Sequence, residues 1–172
     1  TDRMQQIIAE SHREKKMFGI LFFDLDRFKL INDSFSHSVG DELLKNVAER
    51  VKLSIREMDT FSRLGGDEFV GIVTLVKNES YLGKVASKLL TAFNKPFQIN
   101  KNDIIVSSSI GISVYPRDGQ NIDDLLRTAD TAMYHAKSLG GNQFQFYTAE
   151  LSKQSFERLK MEADLHHAIE NE

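Results

Sequence analysis

Apolar positions follow two different periods along the chain, and each period predicts its own kind of element. Residues 17–25 read MFGILFFDL, an unbroken apolar run typical of a central strand that is covered on both faces. Apolar residues at helical spacing predict helices at residues 2–16, 28–34, 41–55, 82–93 and 122–136, with a polar loop at 36–40. A chain with this mixture of strands and helices is expected to fold around a sheet.

Two strand-like runs flank a pair of glycines in the middle of the chain. Residues 61–64 lead into Gly65 and Gly66, and residues 68–76 read EFVGIVTLV. This arrangement predicts a tight β-hairpin, because mirror-image hairpin turns need positive φ. Asp67 and Glu68 then place two carboxylates at a turn where the absence of Cβ atoms lets a ligand approach the backbone. The hairpin is therefore a candidate site for a phosphate and its metal ion.

The remaining strands complete an α+β pattern. Strands are predicted at residues 97–99, 104–114 and 143–147. In the longest of them apolar side chains share one face and serines share the other; the apolar set is Ile104, Val106, Ile110, Ile112 and Val114, and the serines are Ser107, Ser109 and Ser113. The order of elements is a split βαβ pattern, which predicts a mainly antiparallel central sheet with helices on both faces. In such a sheet Asp24, at the end of the first strand, should meet Asp67.

Composition excludes several classes of protein. The 172 residues fit one domain, and a net charge of −3 argues against broad binding of nucleic acid. Cysteine is absent, so disulfides and thiolate metal sites are excluded. The longest apolar run, at residues 17–23, is too short to cross a bilayer. These features are typical of an ordinary globular domain.

The sequence RLGGDEF at residues 63–69 closely resembles the signature of the GGDEF domain family, the diguanylate cyclases. Further blocks resemble the family in the same order and spacing: FFDLDRFKLIND at 22–33, HSVGDELL at 37–44, SIGISVYPRDG at 109–119 and ADTAMYHAKSLGGNQFQFY at 129–147. The resemblance implies a palm-like, nucleotidyl-cyclase-like fold with a ferredoxin-like core over residues 1–148, with an incomplete N-terminal edge. It also implies that two GTP are condensed across a homodimer into cyclic di-GMP, with release of pyrophosphate and inhibition by the product.

The same resemblance assigns a metal site and catalytic residues. It implies that Mg²⁺, or Mn²⁺, is held by the carboxylates of Asp24 and Asp67 and by the carbonyl oxygen of Leu25. Mg²⁺ prefers oxygen ligands and accepts substrate phosphates as partners. Lys29 lies where the family keeps a lysine that stabilises phosphate, and Glu68 is expected to act as a second ligand or as a base.

The substrate-binding residues implied by the resemblance lie on several predicted elements. Asn32 and Asp41 match the positions that read guanine, His37 lies at the rim of that pocket, Lys137 matches a lysine on the terminal phosphates, and Gly65 and Gly66 form the turn. Each residue also has an ordinary explanation when it is taken alone. Asp24 and Asp26 could cap the following helix, Asp41 could favour a helix dipole, and the lysines could be solvated surface charges.

A regulatory site is implied just upstream of the hairpin. Arg56-x-x-Asp59 matches the family's inhibitory site for the cyclic product, since arginine offers a bidentate fork to phosphate or guanine. The alternative is a salt bridge at the end of a helix. Arg127-x-x-Asp130 fits the same pattern on another predicted helix, so only its position distinguishes the first copy.

Two features leave a rival function open. Gly141 stands where the family usually has an arginine, which removes one donor to the terminal phosphates. Residues 149–172 are predicted to be mainly helical and resemble the connector that leads from many GGDEF domains into an EAL phosphodiesterase domain. The resemblance thus implies a bacterial, cytoplasmic domain of a longer protein with an upstream sensor and a possible membrane anchor. The rival is a regulatory domain that binds GTP or product and controls the attached phosphodiesterase; a plain scaffold would leave the acidic residues unexplained.

Overall fold

The computed structural model describes residues 2–154, 157, 160 and 161. Its helices are α1 (Asp2–Glu14), α2 (Phe28–Ser34), α3 (His37–Lys52), α4 (Glu79–Phe93) and α5 (Ile122–Ser138). Its strands are β1 (Met17–Leu25), β2 (Thr60–Gly65), β3 (Glu68–Val76), β4 (Phe97–Ile99), β5 (Asn102–Ile104), β6 (Ser108–Tyr115) and β7 (Phe144–Phe146).

The described residues form a main sheet with β1 at its centre. Its strand order is β2-β3-β1-β6-β7, and a separate two-stranded sheet contains β4 and β5. In the main sheet β1 is antiparallel to β3 and β6, β2 is antiparallel to β3, and only β7 pairs in parallel, with β6. The predicted α+β fold with a mainly antiparallel central sheet is therefore confirmed.

Strand β1 is buried on both faces, as its unbroken apolar run predicts. Leu21 and Phe23 belong to the core cluster that includes α3 and α4, whereas Ile20 and Phe22 belong to the cluster that includes α1 and α5. Phe23 stacks on Phe69 with ring centroids 5.4 Å apart, which joins β1 to β3. Burial of side chains of this size contributes about 1.5–3 kcal/mol each. The core thus fixes the two strands that end at Asp24 and begin at Glu68.

The prediction of one strand over residues 104–114 is wrong. Strand β5 ends at Ile104 in the small sheet, and β6 begins at Ser108 in the main sheet. Between them Ile105 is 70% exposed, while the carbonyl of Ser107 accepts a hydrogen bond from the amide of Asp26 at 2.9 Å. The five apolar residues predicted to share a face all lie in the larger core cluster, so their alternation continues across the break.

The start of α3 also differs from the prediction. The helix begins at His37, and the Ser36 hydroxyl caps it by accepting from the amide of Val39 at 3.3 Å. The predicted loop 36–40 is therefore the first turn of α3, and Asp41 lies beyond that turn, where the helix-dipole explanation no longer applies. Helix α1 ends at Glu14, two residues earlier than predicted, and Lys15 adopts a φ of 52°.

The capping explanation for two acidic residues is wrong. The N-cap of α2 is Arg27, which adopts a φ of 59° and makes no capping hydrogen bond with its side chain. Asp24 and Asp26 therefore point their carboxylates to other partners, which are described below.

The beginning of the predicted helical connector is described, and the rest is not. Residues 149–154 are helical, Leu151 is buried, and the hydroxyls of Tyr147 and Ser152 lie 2.9 Å apart. Residues 155, 156, 158, 159 and 162–172 of that predicted connector lie outside the described residues. Across the part of the chain that is described, none of the helices has the length and apolar content needed to cross a bilayer.

Candidate functional site

The end of β1 and the hairpin turn lie side by side. Asp24 is directly opposite Glu68 in the register of β1 and β3, and Asp67 lies next in the chain, at the turn. Asp24 is buried, and the pKa of its carboxyl is raised to about 6, chiefly by this burial. Within that net shift the hydrogen bond from Lys137 lowers the pKa, whereas the neighbouring Asp67 carboxylate raises it. The structure therefore brings together the two carboxylates that sequence reasoning expected to converge.

Lys137 reaches this pair from the last turn of α5. Its ammonium Nζ lies 2.7 Å from Oδ2 of Asp24. The other carboxylate oxygen of Asp24, Oδ1, is buried and has no hydrogen-bond partner among the described residues. A buried carboxylate oxygen without a partner is costly in a folded protein, so this atom is an available ligand position.

The residues at this end of the sheet fit a hard divalent cation. Among the described residues no group of three or more histidine, cysteine, aspartate or glutamate side chains could hold a metal. The carboxylates of Asp24 and Asp67 are oxygen donors at this edge of the sheet, while the carbonyl of Leu25 as a further ligand stays a prediction. An incomplete, all-oxygen set suits Mg²⁺, which commonly takes one or two carboxylates from the protein and the rest from water and phosphates.

A second group of polar residues lies where α2 packs against α3. Oδ1 of Asn32 is also buried without a hydrogen-bond partner among the described residues. A Cβ atom on Gly40 would collide with this oxygen, so the glycine lets the Asn32 amide lie close to α3. Asp41 follows Gly40 and is exposed, as are His37 at the start of α3 and Lys29 on α2. The Asn32 amide thus lies against the part of α3 that leads into Asp41, and the role of the two residues in reading guanine stays a prediction.

The hairpin turn leaves open space beside its backbone. Gly66 adopts a φ of +53°, and Cβ atoms built on Gly65 or Gly66 would meet nothing within 4 Å. Arg63, which sequence reasoning did not select, donates from Nε to the carbonyl of Gly66 at 2.8 Å and closes the turn. The turn is therefore held by its own side chain while its outer surface is free for a ligand.

Asp26 is a second residue at this end that sequence reasoning missed. Its carboxylate accepts hydrogen bonds from the hydroxyls of Ser107 and Ser109, each at 2.6 Å, and from the amide of Asn142 at 3.0 Å. Gly141 packs against this carboxylate with a φ of +75°. The serine face predicted for residues 107–113 was the available signal, because two of its hydroxyls needed an acceptor.

The Arg56–Asp59 segment does not contain the salt bridge that the sequence offered as an alternative, and the inhibitory site stays a prediction. Asp59 is buried, and its two carboxylate oxygens accept from the backbone amides of Arg56 and Thr74, each at 3.1 Å. The guanidinium of Arg56 lies instead over the ring of Tyr81, 4.5 Å from its centroid. The two side chains therefore have separate partners, and the salt-bridge explanation is wrong.

An open cavity lies beside Arg56. Its volume is about 310 Å³, and it is lined by Arg56, Leu75, Lys77, Asn78, Ser80, Tyr81 and Lys84. Asp59 lies outside that lining. In the second copy of the pattern, Nη2 of Arg127 bonds Oδ1 of Asp124 at 3.3 Å. The cavity beside the first copy of the pattern thus combines three cationic side chains, from Arg56, Lys77 and Lys84, with the aromatic ring of Tyr81.

Comparisons with known proteins agree with this architecture. Residues 1–143 match the family described as "Diguanylate cyclase, GGDEF domain". The chain is 41% identical over 169 residues to the bifunctional diguanylate cyclase/cyclic di-GMP phosphodiesterase MucR of Pseudomonas aeruginosa, covering 98% of this chain and 24% of MucR. It is 36% identical over 171 residues to the cyclic di-GMP phosphodiesterase PdeR of Escherichia coli, covering 98% of this chain and 26% of PdeR.

A solved structure gives the same result in three dimensions. The crystal structure of the GGDEF domain of TpbB, also called YfiN, from Pseudomonas aeruginosa superposes with a TM-score of 0.84 at 30% identity, covering 86% of this chain and 92% of that one. The chain spans only about a quarter of the length of MucR and PdeR. Fold, motifs and comparisons agree, and the chain belongs to the GGDEF domain family.

Proposed function

We propose that this chain is a diguanylate cyclase domain, which condenses two GTP into cyclic di-GMP and releases pyrophosphate. The observation that carries the proposal concerns Asp24. Its Oδ1 is buried and has no partner among the described residues, and Asp67, at an open glycine turn, is close enough to raise the pKa of the Asp24 carboxyl. Family membership supports the reaction class. The alternative uses of these residues, as helix caps or surface charges, leave that unpartnered oxygen without a purpose.

Each 3′-hydroxyl must attack the α-phosphorus of the other GTP. Asp24, Asp67 and the Leu25 carbonyl would hold Mg²⁺, or Mn²⁺, and the bound ion would favour the attacking alkoxide and neutralise charge on the transferring phosphoryl group. Glu68 lies opposite Asp24 in the sheet and would serve as a further ligand or as the base. Because each copy holds one GTP, the reaction requires two copies that face each other as a homodimer.

Binding of the nucleotide is assigned to the surrounding residues. The Asn32 amide would face guanine, where N2–H could supply the hydrogen bond that its buried Oδ1 lacks. Asp41 would accept from N1–H and N2–H, with His37 at the rim of the pocket. Lys29 and Lys137 would bind phosphate oxygens, and Lys137 would then exchange its contact with Asp24 for one with the substrate.

Product inhibition is assigned to the cavity beside Arg56. Tyr81 holds the guanidinium of Arg56 by a cation–π contact, and Lys77 and Lys84 add positive charge for the phosphates of cyclic di-GMP. Asp59 contributes to the inhibitory site by fixing the backbone at Arg56 and Thr74. A product bound on this surface would hold two domains in an unproductive orientation, so the inhibition would not compete with GTP.

A regulatory domain is the second candidate, and one observation favours it. Gly141, at a position where an arginine would reach the terminal phosphates, has a φ of +75° and lies against Asp26. PdeR, one of the relatives, is a phosphodiesterase. In this alternative the chain binds GTP or cyclic di-GMP without turnover and controls an attached EAL domain, under an upstream sensor in the same longer protein.

One experiment separates the two candidates. The 172-residue chain and its Asp67→Ala variant are incubated with GTP and Mg²⁺, and the nucleotides are separated and identified by mass. A cyclase makes cyclic di-GMP with wild-type protein only, whereas the variant keeps its affinity for cyclic di-GMP at the Arg56 cavity. Metal-dependent GTP binding without product, at concentrations where the chain is dimeric, favours the regulatory domain. Equal turnover by Asp67→Ala contradicts the metal site.

A further inference from the structure

The carboxylate of Asp26 joins three separate segments of the chain at the nucleotide end of the sheet. It accepts from Ser107, just before β6, from Ser109 within β6, and from the backbone amide of Asn142 after α5. The amide of Asp26 itself donates to the Ser107 carbonyl at 2.9 Å. Hydrogen bonds to an ionised acceptor are among the stronger ones in proteins, so this is a firm junction.

The loop between α5 and β7 is shaped around this carboxylate. Gly140, Gly141 and Asn142 adopt φ values of 109°, 75° and 51° in succession, a conformation that two glycines and an asparagine adopt at low cost. A Cβ atom on Gly141 would lie 2.9 Å from Oδ2 and 3.1 Å from Oδ1 of Asp26. The loop therefore packs directly on the carboxylate, with no space for a side chain between them.

The junction lies next to the groups assigned to the nucleotide and the metal. Asp26 follows Asp24 and Leu25 in the chain, and α2 begins two residues later. The loop that it holds continues directly from the end of α5, where the amide of Gly140 donates to the carbonyl of Lys137 at 3.0 Å. A displacement of this loop would thus move the Lys137 ammonium relative to Asp24.

We propose that Asp26 is a positioning residue for nucleotide binding. Its carboxylate holds the α5–β7 loop against the end of β1, and so keeps Lys137 in line with Asp24 and the terminal phosphates. This inference rests on the proposed function, and it deepens it by naming a residue that contacts neither nucleotide nor metal. It also explains Gly141, because the Asp26 carboxylate occupies the space that a side chain at this position would need.

The test replaces the carboxylate by an amide of the same shape. In Asp26→Asn one oxygen becomes an NH₂ group and the negative charge is lost, so the side chain cannot accept all three hydrogen bonds from Ser107, Ser109 and Asn142. We expect affinity for a non-hydrolysable GTP analogue with Mg²⁺ to fall about tenfold, or about 1.4 kcal/mol. We also expect faster hydrogen exchange at the Asn142 amide. The Thr74 amide, held by Asp59, is the internal reference and should exchange as in the wild type.

Two serines of β6 provide a matched pair of controls. The hydroxyl of Ser109 donates to Asp26, whereas that of Ser113 donates to the Leu125 carbonyl at 2.8 Å, and both serines are fully buried. Ser109→Ala should weaken analogue binding and speed exchange at Asn142, in the direction of Asp26→Asn. Ser113→Ala should change neither. This pair keeps the test decisive where Asp26→Asn fails to fold.

The possible outcomes distinguish a failure of this inference about Asp26 from a failure of the proposed function. The inference is overturned if Asp26→Asn binds the analogue within twofold of the wild type, or if exchange at Asn142 and Thr74 rises together, which would indicate general destabilisation. A wild-type chain that does not bind the analogue contradicts the proposed function instead. The role of Asp26 in holding the α5–β7 loop is then judged on hydrogen exchange alone. Faster exchange at the Asn142 amide in Asp26→Asn supports that role, and unchanged exchange overturns it.

Discussion

Asp24 and Asp59 are both buried aspartates, at 6% and 9% exposure, yet the surrounding chain treats their carboxylates differently. Both oxygens of Asp59 accept from backbone amides, which fixes the segment before β2 to the far part of β3. Asp24 has one oxygen paired with Lys137, and in the described part of the chain its other oxygen has no partner, while a second carboxylate lies nearby. The same residue type is used once for structure and once, by our proposal, for function.

The difference shows how a buried charge can be interpreted. A carboxylate that is fully hydrogen-bonded offsets its desolvation within the protein, so its removal should be felt in stability. A carboxylate left partly unpaired is already unfavourable in the fold, so its removal should be felt mainly in binding and catalysis. Turnover and unfolding measurements on variants of the two aspartates test this distinction.

The largest effect is expected on turnover. Asp24→Asn should reduce formation of cyclic di-GMP at least roughly a hundredfold, or about 2.7 kcal/mol, because it removes a negative charge from the proposed metal site. Asp59→Asn should keep turnover within about threefold of the wild type in the absence of product, since the substitution touches neither the Asp24 nor the Asp67 carboxylate. Initial rates are compared at a temperature where both variants are folded. A reversed ranking would contradict the assignment of Asp24 to function.

The ranking should reverse for stability. Asp59→Asn should lower the free energy of unfolding by about 1–3 kcal/mol, since one buried backbone amide loses its acceptor. Asp24→Asn in metal-free buffer should change it by less than about 1 kcal/mol, because the lost ion pair with Lys137 is offset by relief of an unpartnered charge. Urea unfolding of both variants measures this. Equal losses would mean that Asp24 is as structural as Asp59.

A smaller effect should separate Arg56 from Arg127, which occupies the same position in the second copy of the pattern. Arg56→Ala should weaken binding of cyclic di-GMP about tenfold, or about 1.4 kcal/mol, with little change in turnover when no product is added. Arg127→Ala is the matched control, because it belongs to the same sequence pattern but pairs with Asp124 on α5. Calorimetric titration at a fixed salt concentration decides, and equal affinity of Arg56→Ala and wild type would exclude an inhibitory site at this cavity.

The smallest effect is expected at the hairpin turn. Gly66→Ala should cost roughly 1 kcal/mol of stability, because alanine is strained at a φ of +53°. Gly65→Ala should cost close to nothing, since Gly65 lacks a positive φ and its Cβ would point into open space. Urea midpoints of the two variants provide the comparison. A large loss from Gly65→Ala would show that the turn supports the fold as well as the proposed site.

Local patterns predicted the parts of this molecule that depend on neighbours in the chain. The hairpin, the doubly covered β1 and the meeting of Asp24 with Asp67 all follow from strand periodicity and from where strands end in a sheet. The start of α3 was predicted four residues too late, because the first turn, at residues 37–40, is polar apart from Val39 and contains a glycine. Its signal was the serine N-cap.

Apart from the meeting of Asp24 with Asp67, the contacts between distant segments could not be predicted from local patterns. The break between β5 and β6 is hidden because the alternation of buried residues continues across it. The junction at Asp26 depends on Ser107 and Asn142, which become its neighbours only after the whole sheet has formed. The roles of Arg56 and Asp59 were treated together because their spacing is short, yet the fold gives the two side chains separate partners.

The central position of β1 has a consequence for synthesis of the protein. Among the described strands it is synthesised first, but its partners are β3 and β6, so that Phe18 pairs with Tyr115 near the far end of the domain. A nascent chain that ends before residue 108 carries the most apolar strand with one edge unpaired, which exposes it to aggregation. Complete pairing of β1 during translation must therefore wait until β6 has been synthesised.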